Sequence, residues 1–254
     1  MTALAPKPGL RQRFRWNHPE LSLAILATSA WVAVVLLHLR AGHPVAHAPA
    51  THHRGAANSI GPPPFPYSVT VWFLMATAMM LPTVLPAARS IARNGKWKRR
   101  RRGPALFALG YLATWTAFGA VLLYAIRVAG PKSPDLLLVS AALLLAALWE
   151  STRWKRHFLR ACHRIPPIPP DGPRADRACL RAGFRNGLHC MGSCAPMMLP
   201  MALAPHAAAL PLMLFLTGLI WAEKSLTRAA DHLRLFAGLL AAAALVLSAV
   251  ALTA

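Results

Sequence analysis

Apolar residues fall along this chain in long blocks rather than in alternation. Six blocks approach or exceed the ~20 residues that a helix needs to cross a bilayer: 21–39, 66–88, 104–128, 136–151, 187–222 and 233–254. None has the period-two pattern of a membrane β-strand, and a backbone in lipid must satisfy its own hydrogen bonds. The pattern predicts an all-α, polytopic membrane helical bundle of about six transmembrane helices. The block 136–151 is short, and Trp149 and Trp154 mark its interfacial end. The implied organisation is a basic cytoplasmic tail (1–20), a first transmembrane anchor (21–39), a His/Pro-rich external loop (40–66) and a helical membrane core (66–254). That core carries cytoplasmic loops at 87–104 and 153–186.

Charge sets the expected orientation. The chain has 254 residues, 28 Lys and Arg against seven Asp and Glu, and a net charge of +21. Of those 28, 21 lie in the tail and the two cytoplasmic loops. The positive-inside rule then places both termini in the cytoplasm, with the chain in a bacterial inner membrane and the bilayer as its first partner. The basic runs lack the interleaved aromatics of nucleic-acid recognition, so no nucleic acid is expected. The first block reads as a retained anchor rather than a secretory signal, although Ala46-His47-Ala48 is cleavage-like. Loop 40–66 holds His43, His47, His52 and His53, a composition that can gather metal but more often is only solvated. The stretch 163–173 is a polyproline-like spacer.

The candidate chemistry is soft. Seven of the eight methionines after Met1 fall in two windows: Met75, Met79 and Met80, then Met191, Met197, Met198 and Met201. The second window also contains His189, Cys190 and Cys194. On a helical wheel Cys190, Cys194, Met197 and Met201 share a stripe about 60° wide, with Pro196 and Pro200 on the other side. Trp72, Met75, Met79 and Thr83 share a face in the first window. Opposite chain directions would bring the two windows to a similar membrane depth. Thiolate and thioether donors suit Cu(I), whereas zinc would want four Cys or His ligands. Methionine is equally a gap-filler of apolar cores. Two readings therefore stand: a protein that binds copper(I) within the bilayer for transport or delivery, and a metal-free permease or accessory subunit whose methionines only pack.

Three segments carry a family resemblance: MATAMMLPTVLPAAR, ALWESTRWKRHFLRACH and GLHCMGSCAPMMLPM. With Ala222-Glu223-Lys224, they resemble a bacterial family of predicted metal-binding integral membrane proteins, a domain of unknown function, over roughly residues 66–240. The resemblance implies metal binding by Met79, Met80, Cys190 and Cys194, with Cys162 matching a further family cysteine. This chain has Ser193-Cys194 where the family pattern has two cysteines, so Met197 or His189 would have to compensate. The full candidate metal set is Met75, Met79, Met80, Cys162, His189, Cys190, Cys194, Met197 and Met201. A metallochaperone or another membrane subunit is the protein partner such a set would serve.

Glu150 is expected to pair with Arg153 or Arg156, and Glu223 and Lys224 to snorkel at an outer interface. No Ser/His/Asp set, paired carboxylates or phosphate loop supports catalysis, so no enzyme is expected.

Overall fold

The computed structural model describes residues 18–42, 64–95, 99–130, 135–164, 166–169, 171–226 and 229–253. The basic residues of the tail before His18, the His-rich loop and the Ala46-His47-Ala48 site lie outside the described residues. Among the described residues the regular structure is all helical: α1 (Leu21–Gly42), α2 (Phe65–Met80), α3 (Leu85–Asn94), α4 (Arg102–Ala129), α5 (Leu136–Glu150), α6 (Arg153–Cys162), α7 (Pro173–Leu203), α8 (His206–Ser225) and α9 (Ala229–Thr253). By length and composition α1, α4, α8 and α9 can each cross a membrane, and the bent pairs α2–α3 (42°) and α5–α6 (78°) raise the number to six.

The first bend has a local cause. Pro82 follows the end of α2, where a ring without an N–H cannot continue the ladder, and a short 3-10 turn (Pro82–Val84) leads into α3. At the second bend Ser151 and Thr152 interrupt the helix, and Thr152 caps α6 by accepting from the Lys155 amide at 3.2 Å.

The centre of the bundle is the crossing of α4 and α7, and glycine makes it close. A Cβ on Gly110 would stand 2.4 Å from the Leu180 carbonyl oxygen, one on Gly183 2.0 Å from that of Phe107, and one on Gly187 2.7 Å from Thr114 Oγ1. Such small-residue seams let helix backbones touch. Trp72 of α2 packs on the same helix, donating its indole N–H to the Trp115 carbonyl at 2.9 Å. Gly119 leaves room for that indole, 1.9 Å from where its Cβ would be.

The expected single block 187–222 is two helices. Lys155 Nζ donates both to the Ser193 carbonyl (3.0 Å), about three turns before α7 ends, and to Glu223 Oε2 (2.8 Å), near the far end of α8. The chain therefore reverses at Ala204 and Pro205, and α8 runs back beside α7. Pro205, with an extended backbone, precedes α8 and cannot prolong α7. The far ends agree: His38 near the end of α1 stacks on His206 at the start of α8, with centroids 4.1 Å apart. α9 starts three residues after Leu226 and lies antiparallel to α5, where Ser140 Oγ donates to the Ala244 carbonyl at 2.8 Å. The presumed loop 153–186 is largely helical too, formed by α6 and the first half of α7.

Candidate metal centre

Most of the soft side chains lie in one buried core, and three of the thiols neighbour one another there. Cys190 and Cys194 stand one turn apart on α7, both fully buried. Met197 and Met198 of the next turn, and Met79 and Met80 at the end of α2, are at most 1% exposed in the same core. Met75 lies one turn earlier on α2 and is buried at 8% exposure, while Met201 is half-buried against the core. Cys162, the last residue of α6, joins from a third element. Its thiol is 3.9 Å from Ser193 Oγ, and Cys190 lies within side-chain interaction range of both Cys162 and Cys194. The thiols neighbour one another without converging: among the described residues no three His, Cys, Asp or Glu side chains form a ready metal cage. A complete ligand set here needs thioethers as well as thiols.

His189 is not part of this cluster. It is half-buried on another face of α7, its ring 6.5 Å from that of Phe158 and its charge environment set by Arg185 and His157. Adjacent residues on a helix diverge by about 100°, which separates His189 from Cys190.

Ser193 occupies the middle of the thiols. Its hydroxyl donates to the Cys190 carbonyl at 2.9 Å and lies 3.3 Å from Cys194 Sγ. The Ser193 hydroxyl thus lies between two of the sulfur atoms, those of Cys162 and Cys194. Tyr111 of α4 adds a phenol 3.0 Å from Cys190 Sγ. Nothing in the local pattern around Tyr111 marks it. Only the α4–α7 seam brings it there.

Behind α7 lies a buried ion cluster. Lys155 Nζ contacts Glu150 Oε1 at 2.5 Å and Glu223 Oε2 at 2.8 Å, and all three side chains are fully buried. Glu150 thus pairs with Lys155 rather than with Arg153 or Arg156. Glu223 does not snorkel, because the return of α8 carries it into the core. Two acids in the apolar ends of helices were the visible signal. Lys155 was hidden within a basic run.

Beside the thiols a cleft of about 260 Å³ opens between the Pro82–Val84 turn, the end of α6, α7 and the end of α8. Cys162, His163, Asn186, Lys224 and Thr83 line it. Burial and the Lys224 ammonium hold the His163 imidazole below its ordinary value. Lys224 also reaches Cys162, Cys190, Cys194 and Tyr111 electrostatically. The arrangement is a soft, buried donor set with the Lys224 and Lys155 cations near it, suited to holding an ion whose thiolate complex is negatively charged.

A family model described as PpoB2, copper chaperone, matches residues 69–247. That span includes every sulfur donor named above. No curated protein and no solved structure matches the chain. Since the match extends over well more than half of the 254 residues, the chain belongs to the PpoB2 copper chaperone family.

Proposed function

We propose that this protein is a membrane-embedded copper(I) carrier that holds the ion at Cys190 and Cys194 and passes it on, acting as a chaperone or conduit rather than as an enzyme. The observation that carries this reading is the fully buried Cys190–Cys194 pair with Cys162 beside it, in a core that also buries the thioethers of Met79, Met80 and Met197, in a chain of a copper chaperone family. Two thiolates with one or two thioethers form a set that Cu(I) prefers and that zinc cannot use well. Copper is the cargo here, and the bilayer, a bacterial inner membrane in this reading, is the setting. A copper donor or acceptor is the partner.

The proposed orientation keeps the basic loops, and with them the N-terminus, in the cytoplasm.

The test is copper content of the full chain, purified in detergent under reducing conditions and loaded with Cu(I), beside Cys190→Ser/Cys194→Ser. The expected outcome is stoichiometric copper that the double substitution removes. Equal copper in both proteins would reject the site. No copper in either would leave the methionines as packing and the permease or accessory reading in its place.

A further inference from the structure

Of the three neighbouring thiols only one meets an open space. Cys162 is 8% exposed and lines the cleft, while Cys190 and Cys194 are fully buried. Two further groups face the same space. Lys224 brings a cation from α8. Asn186 of α7, itself only 8% exposed, lines the cleft, and its buried carboxamide oxygen has no hydrogen-bond partner. Buried acceptors are almost always satisfied, so this one is suited to a donor supplied by a ligand. The cleft therefore offers a thiol and a cation, with the unpartnered Asn186 carboxamide in its wall. Its volume is near the lower end of small-molecule sites, the scale of an amino-acid-sized compound.

We propose that this cleft binds a Cu(I) complex of a small thiol bearing a carboxylate and an N–H, and that Cys162 takes the ion from it by ligand exchange. The inference rests on the copper reading above. Lys224 holds the carboxylate, and Asn186 accepts the N–H. In the exchange the bond from copper to the donor sulfur breaks and the bond from copper to Cys162 Sγ forms. The Cys162 thiol proton leaves with the donor sulfur, and copper stays in the +1 state throughout. Cys190, within range of both Cys162 and Cys194, then receives the ion. Lys224 serves the step twice, since its charge also balances the anionic thiolate complex that results.

The test compares Cu(I) uptake from N-acetylcysteine and from N-acetylcysteine amide, which differ only in the carboxylate. Both donors are set to the same free Cu(I), with the full chain in detergent under anaerobic conditions. Initial uptake is expected to be about tenfold faster from the acid, the factor that one charge-assisted hydrogen bond supplies. Lys224→Gln is expected to bring the two rates together. N-acetylalanine, which keeps the carboxylate and N–H without sulfur, is expected to slow uptake from the acid donor in the unaltered protein, a readout that needs no variant. Equal rates from the two donors, or no competition by N-acetylalanine, would overturn the proposal. The final copper content separates the two readings. Full loading at equal rates, lost in Cys190→Ser/Cys194→Ser, defeats the cleft alone, whereas no loading from either donor defeats the copper reading with it.

Discussion

Trp149 donates its indole N–H to the Gly192 carbonyl, 3.2 Å away. Gly192 stands four residues before Pro196, so its carbonyl is the one that proline leaves without a helical partner. The next carbonyl, that of Ser193, accepts from Lys155. Two side chains from α5 and α6 thus hold the opened backbone of α7 directly behind Cys190 and Cys194.

Replacing Trp149 by Phe keeps the ring and removes the donor. The part-buried carbonyl is then orphaned, at a cost of about 1 kcal/mol. A lower melting temperature in detergent is expected, together with weaker Cu(I) binding, because the proline-containing turn of α7 next to the thiols loosens. Unchanged values of both would show that the bond positions nothing.

Removing Lys155 should be more damaging than removing either of its partners. Lys155→Met leaves Glu150 and Glu223 buried together without a cation, a situation that costs about 3–5 kcal/mol. The triple change Glu150→Gln/Lys155→Met/Glu223→Gln is expected to recover much of the lost thermal stability, since breaking a buried pair is worse than deleting it. A triple variant no more stable than the single one would contradict this account.

The α4–α7 seam predicts a contrast between glycines. Gly183→Ala places a methyl 2.0 Å from the Phe107 carbonyl oxygen, so the helices must separate and Tyr111 must retreat from Cys190. Gly238→Ala on α9 meets nothing within 4 Å and removes a flexible residue from a helix, with an expected gain of about 0.5–1 kcal/mol. Thermal unfolding of the two variants should move in opposite directions.

A pH effect is expected at the start of α1. Burial pushes the Glu20 carboxyl up, but Arg89, 2.5 Å away, together with His18 and a backbone N–H, outweighs it and holds the group below its usual range. A carboxyl with a depressed folded value stabilises the fold at neutral pH, and that contribution fades as pH falls through the carboxylate range. The melting temperature should therefore drop for Glu20→Gln at pH 7, while the gap to the unaltered protein closes toward pH 4. A gap independent of pH would place the effect in packing instead of charge.

Much of the helical framework was legible because apolar blocks and periodicity are local signals. The sulfur stripe of Cys190, Cys194, Met197 and Met201 was legible for the same reason, and the structure buries its first three members and half-buries Met201. The reversal at Ala204–Pro205 was not legible, since it falls inside a continuous apolar stretch where proline is ordinary. That one turn also explains the misplacement of Glu223. Lys155 was unreadable because burial is a tertiary property, and in sequence it looks like its neighbours Arg153 and Arg156. Tyr111 and Asn186 had no pattern around them at all. His189 failed in the other direction: it sits beside Cys190 in the chain but on a different face of the helix.

The sulfur donors nearest the centre all ride on interrupted helices. Met79 and Met80 precede the Pro82 break, Cys162 follows the 78° bend, and Cys190 and Cys194 precede Pro196. α4, which contributes only Tyr111, runs unbroken for 28 residues. The centre is framed like a drawbridge, with one stiff beam and three jointed arms. Opening it flexes joints that already lack backbone hydrogen bonds and leaves the glycine seam in place. In the proposed carrier, residence time and grip would be tuned separately: the joints would set how fast the ion leaves, and the sulfur atoms how tightly it is held while it stays.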